Sequence, residues 1–99
     1  MRPVPEATLA RWRALNAVDV LVALADHAKR DPTFIPVKQP GSSRWHACLG
    51  GVEFELVLTG AKFWDTRANG GGGGAIDLVL HLTGGDFKKA VAILKAARL

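Results

Sequence analysis

A single cysteine, Cys48, stands among the 99 residues, so no disulfide can form within the chain, which fits a reducing compartment. No apolar run approaches the roughly 18–20 residues of a membrane span. The N-terminal stretch MRPVPEATLARWR has no apolar core of the secretory kind. A cytoplasmic protein without membrane contact is expected. There is no internal repeat. Catalytic constellations are missing too: His27, His46 and His81 fall on separate expected elements, with no paired acid at motif spacing. His46 and Cys48 alternate along one expected strand and share a face, two ligands short of a structural zinc site. No activity of its own, metal or cofactor is therefore expected.

Apolar residues make up 48% of the sequence, enough for one modest core, and residues 1–99 read as one domain. The net charge of +4, with a pI near 9.7, turns the partner list toward anions, nucleic acid first.

Residues 1–5 read as an irregular lead-in. Residues 6–15 and 17–29 read as helices, the first with Leu9, Trp12 and Leu15 at helical spacing and Arg11 and Arg13 outward. Asn16 is the expected cap of the second, and Asp31-Pro32 its stop. Residues 33–37 are β-prone but interrupted by Pro36, which suits an edge strand or an irregular piece. Residues 38–43 form a loop. Residues 44–49, 52–58 and 61–65 read as three strands, with Gly50-Gly51 and Thr59-Gly60 as tight turns. Residues 75–82 form a short helix ended by Thr83-Gly84-Gly85, and Asp86 caps a last helix over 87–98 with Phe87, Val91 and Leu94 as its apolar stripe. The expected class is α+β: a helical lead-in (1–31), a small antiparallel sheet of three to four strands (32–69), then a glycine hinge and two C-terminal helices (70–99).

The chemistry concentrates in residues 61–82, AKFWDTRANGGGGGAIDLVLHL. Five glycines before a helix can converge their N–H groups on a phosphate; they can equally form a flexible linker. The run is not followed by the Lys-Ser/Thr of a mononucleotide loop, and no long β-α-β unit surrounds it. Asp77, in the first turn of the following helix, complements the dipole and lowers the appeal of that helix start for phosphate. Basic and aromatic residues are the better lead. Arg44, Trp45, His46, Lys62, Trp64 and Arg67 fall on strands that can be neighbours, with Asn69 in the following turn and Lys88 on the last helix. Aromatics stack on unpaired bases while arginine and lysine hold phosphates. The plainer alternative makes Trp45 and Trp64 core residues and the charges a solvated face. Trp12 and Phe87 read as core. Phe63 alternates with Trp64, so one of the two is expected inside and the other outside.

The run from Phe63 to Leu94 resembles the second half of the zinc-binding domain at the N-terminus of bacterial replicative primases. Gly72-Gly73, Ala75-Ile76-Asp77-Leu78, and Phe87 with Ala90-Val91 and Leu94 match that family in order and spacing. Shortened relatives in plasmid and mobile-element replication or conjugation proteins look most similar. In an ungapped match the family's second cysteine pair falls on Thr66 and Asn69, and its first pair has only His46 and Cys48 nearby. The resemblance therefore implies a primase zinc-ribbon-like domain that has lost its zinc. It also implies a role in binding single-stranded DNA as template, near Arg44, Trp45, Lys62, Trp64 and Arg67. On this reading the chain is a non-catalytic accessory domain or subunit of a primase system. The rival reading is an interaction module docking on a polymerase, helicase or relaxase partner without touching DNA. A third is an enzyme fragment whose catalytic part lies beyond Leu99.

Overall fold

The computed structural model describes residues 3–38 and 40–99. The expected lead-in over 1–5 and loop over 38–43 thus fall partly outside the described residues, at Met1, Arg2 and Gln39. Two helices, α1 (Glu6–Ala14) and α2 (Ala17–Leu24), precede five strands: β1 (His27–Arg30), β2 (Ser43–Leu49), β3 (Val52–Thr59), β4 (Lys62–Asp65) and β5 (Gly70–Gly73). Helices α3 (Ala75–Thr83) and α4 (Phe87–Ala96) complete the chain. The strands form one antiparallel meander in sequence order. The α+β class is as expected, but the sheet has five strands where three to four were expected.

Both additional strands arise where local preference loses to pairing. Residues 17–29 carry an unbroken helical pattern, yet α2 stops at Leu24 and Ala25 turns extended at ψ 145°. The Asp26 amide then donates to the Cys48 carbonyl at 2.8 Å, and the Asp26 carboxylate accepts from the Gly50 amide at 2.9 Å. Those two bonds draw His27–Arg30 onto the edge of β2, a tertiary override of helix propensity. Asn16 makes no side-chain cap; the Ala17 amide at the helix start donates instead to the carbonyl of Gly60 at 2.8 Å. Residues 33–37 form no strand and run as an irregular arm.

The second additional strand is the glycine run. Residues 70–73 are neither a linker nor a hinge but pair with β4 in full register, against the poor strand propensity of glycine. Space explains the composition. A Cβ at Gly71 would lie 2.3 Å from the Phe63 carbonyl oxygen and 2.9 Å from the Trp64 indole; one at Gly72 would press at 3.2 Å on the Phe63 ring and the Asp77 side chain. The Gly74 amide donates to the Ala61 carbonyl at 2.9 Å. By the two-residue alternation of an antiparallel ladder, Gly70 and Gly72 then bond inward to β4, while Gly71 and Gly73 point away from it. The Gly73 amide is met by the Asp77 carboxylate at 3.3 Å, so the helix start is occupied by its own acid and offers no phosphate cradle.

The Gly50-Gly51 turn falls where expected; the second turn falls at Gly60-Ala61, one residue beyond the expected Thr59-Gly60, because Thr59 stays paired with Lys62 in the ladder. Gly50 and Gly51 both have positive φ, as a type I′ turn requires, while at Gly60-Ala61 only Gly60 does, the II′ pattern. Asp86 caps α4 by accepting from the Lys89 amide, and left-handed Gly84 ends α3. One face of the sheet, carrying Ala47, Leu56, Leu58 and Phe63, packs on the helices. Their contribution is Trp12 of α1, Val20 and Leu21 of α2, Leu78, Val79 and Leu82 of α3, and Val91 and Leu94 of α4. Trp12 is 1% exposed, as expected of a core residue, but Phe87 is 45% exposed and lies outside the core. The first turn of α4 sits at the rim, where its ring lines a cleft with Leu9, Ile76 and Asp77.

Candidate nucleic-acid interface

The four described helices lie on one side of the sheet; over the other face the described residues place no helix, only the irregular arm, whose Phe34 lies against Arg44 and whose residues Phe34 to Lys38 border Val57. Period-two alternation assigns the side chains of that face. Reading across the strands by register, one row runs Arg44–Val57–Trp64–Gly71, the next Lys29–His46–Glu55, and a third His27–Cys48–Glu53. Lys62 lies beyond Trp64, opposite Thr59. Trp64 is 46% exposed while its neighbour Phe63 is buried, so the pair splits as the alternation requires.

The expected site residues part into three groups. His46, Lys62 and Trp64 stand on the open face and are exposed, and Arg44 joins them half-buried. Trp45 is on the opposite face: its partner across the ladder is the buried Leu56, and its indole N–H donates to the Ser43 hydroxyl at 2.9 Å. The two strand tryptophans thus share a sheet but not a side. Arg67 and Asn69 lie on the β4–β5 turn, where Asn69 takes the left-handed conformation, φ 55°, that brings the chain back into β5. Lys88 is exposed on α4, in the helix layer and away from Trp64.

Electrostatics separates the cations further. The Arg44 guanidinium donates through Nε and a terminal nitrogen to one oxygen of Asp31, lies 3.7 Å from Glu55, and covers the Phe34 ring at 5.3 Å. The Thr33 hydroxyl, followed by Arg44, holds the Asp31 carboxyl well below the usual carboxylate range; the bonds to Asp31 in turn raise Arg44. Arg67 reaches Glu55 at 3.9 Å. Both arginines therefore have carboxylates against them. Lys29, Arg30 and Lys62 have no ion-pair partner among the described residues.

Beneath this face lies a pair that spacing in the sequence did not show. Asp65, at the end of β4 and 4% exposed, receives His81 Nε2 of α3 at 2.6 Å. Its other oxygen accepts the amides of Arg67 and Ala68 at 2.9 and 3.0 Å. Burial by itself would raise the Asp65 carboxyl, but the Ala68 amide, His81 and the Arg67 amide together hold it below the ordinary value. A carboxylate can only accept, so Nε2 carries the proton. The rings of Phe54 and Phe63 pack against the imidazole at 6.0 and 5.2 Å. This bond ties the β4–β5 turn to the central helix. Sixteen residues separate the two groups, and only the strand-to-helix return brings them together.

A zinc ion is not served by these residues. Thr66 and Asn69 occupy the turn positions where the resembled family has cysteines, and His46 and Cys48 project from another strand. Among the described residues no three His, Cys, Asp or Glu side chains converge to hold a metal. No described helix is long and apolar enough to cross a membrane.

Compared with known proteins, no family model matches the chain, and no solved structure matches it. A stretch of 41 residues is 49% identical to a "65 kDa protein" of Zymomonas mobilis subsp. mobilis. That match takes in 41% of this chain and 7% of the relative, so the chain spans only a small part of the relative's length.

Proposed function

We propose that the open sheet face binds single-stranded DNA, in a zinc-less primase-type accessory module serving cytoplasmic replication or transfer of a mobile element. The observation that carries this reading is the half-exposed Trp64 indole, flanked by Lys62, which has no ion-pair partner among the described residues, on the sheet face that no described helix covers. A flat aromatic beside a lysine offers stacking to any base and a counter-charge to its phosphate, with no requirement for sequence. The net charge has the right sign. The residues that resemble the primase family also form one continuous unit, β4 through α4. Labelled single-stranded oligonucleotide is expected to bind in the micromolar range or better, to outcompete duplex, and to weaken steeply with added salt. Absence of binding at low salt overturns the reading.

One observation favours the rival. Ile35 and Val37 on the arm are 81% and 95% exposed, and the arm and Trp64 each line a shallow depression that includes Ser42 and Val57. An apolar strip of this kind suits docking on a polymerase, helicase or relaxase partner. Ile35→Ser with Val37→Ser abolishes that docking and leaves oligonucleotide binding intact; loss of both places the strip inside the nucleic-acid site.

A further inference from the structure

We infer that the bound strand crosses the sheet obliquely, from Trp64 and Lys62 on β4 over Val57 to a second contact at Lys29 on β1. The inference rests on the single-stranded DNA reading above. Arg44, an obvious phosphate ligand by sequence, is held by Asp31, and Arg67 has Glu55 at 3.9 Å, so the phosphates look first to cations without a carboxylate beside them. On the open face these are Lys62 at one corner and Lys29 at the other, with His46 beside Lys29 in register. Around Lys29 the face deepens into a groove of about 410 Å³, whose lining includes His27, Arg30, His46, Glu53, Arg67 and Asp31, the last with its charge met by Arg44. Glu53, one row further along β3 from Glu55, repels phosphate and sets the far limit of the path. Between the corners lie Val57, bordered by the arm residues Phe34 to Lys38, and the neutralised Arg44–Glu55 pair; bases that skirt the arm here meet no unpaired charge to desolvate.

The register gives the span. Three inter-strand steps of about 4.8 Å and one two-residue step along the strands of about 6.8 Å separate Trp64 from Lys29 by about 16 Å. At about 3.4 Å per stacked step, the span is between four and five steps, so about five to six nucleotides reach from one to the other, at the low end of known single-strand sites.

The test is a titration of the full chain with thymidine oligonucleotides of two, six and eight nucleotides, followed by backbone amide shifts, for the wild type, Lys29→Ala and Lys29→Glu. Circular dichroism of each variant checks that the edge strand persists. Affinity is expected to climb steeply from two to six nucleotides and little from six to eight. Lys29→Ala should leave the two-nucleotide affinity unchanged, weaken the six-nucleotide one about fivefold, and reduce the magnitude of the salt slope by about 0.7; Lys29→Glu should weaken it further. Trp64-dependent binding with no effect of Lys29, or with the same loss at every length, overturns the path and leaves the single-stranded DNA reading standing. No binding by any oligonucleotide at low salt overturns the reading and the path together.

Discussion

The six-membered ring of the Trp64 indole lies across Gly71, its partner on the neighbouring strand, so closely that a Cβ there would stand 2.9 Å from the ring and 2.3 Å from the Phe63 carbonyl. Glycine at 71 is what allows the indole to lie over the border strand. An aromatic laid over a cross-strand glycine also covers backbone that would otherwise be bare, which compensates for the weak strand preference of the glycine run.

Gly71→Ala should therefore lower stability by about 1–3 kcal/mol through overpacking and disturb the Trp64 environment. Gly70→Ala, which opens onto empty space, should stay within about 0.5 kcal/mol of wild type. Thermal unfolding with tryptophan emission distinguishes them; equal effects would contradict the described packing.

If residues 70–73 form a strand, amide exchange must alternate along them. The Gly72 amide, directed at β4, should be protected, and the Gly71 amide, directed outward, should exchange at close to the free rate. Uniformly fast exchange across the run would restore the linker reading.

Removing His81 leaves a buried acceptor short of a donor. His81→Ala should cost about 1–3 kcal/mol and loosen the turn carrying Arg67. The pH sign follows from Asp65: its folded-state carboxyl lies below the ordinary 3.8, so its stabilisation is complete above that value and is lost as pH falls through the lower folded one. Asp65→Asn should accordingly be less stable than wild type at pH 7, with the difference shrinking below about pH 4. Denaturant midpoints measured from pH 7 to pH 3 test this.

Among the expected ligands, Trp64→Ala should weaken oligonucleotide binding about 5- to 150-fold, the equivalent of roughly 1–3 kcal/mol of lost stacking, without unfolding the chain. Arg44→Ala should do less to binding than Lys62→Ala, because its charge is already engaged by Asp31 and Glu55. Its effect should appear as faster exchange at the Thr33 amide, whose acceptor Asp31 it orients. A larger binding loss for Arg44 than for Lys62 would reverse the assignment of phosphate contacts.

Much of this architecture was legible in the sequence because its signals are local. The alternation Val52-Phe54-Leu56-Leu58, the paired glycines at 50–51, the Asp86 cap and the Phe63/Trp64 split all follow from short-range stereochemistry. What escaped is what depends on distant partners. No property of residues 27–30 marks them as a strand; the Cys48 carbonyl and Gly50 amide make them one. No property of five glycines marks a strand either, until Phe63 and Trp64 leave room for nothing larger. The candidate site suffered the same way: Trp64, Lys62 and His46 emerged together because alternation is readable, whereas the capture of Arg44 by Asp31 and the approach of Glu55 to Arg67 require the fold. Trp45 follows the same alternation, but its side depended on a strand register that the sequence left open.

The period of two that gives β4 its buried Phe63 and outward Trp64 has a consequence for how such a surface can change over generations. A residue gained or lost within β4 would send the indole under the helices and the phenyl ring into water. Lineages can therefore retune this face by exchanging one side chain for another, while insertions and deletions have to settle in the turns, where they leave the phase of the strands untouched.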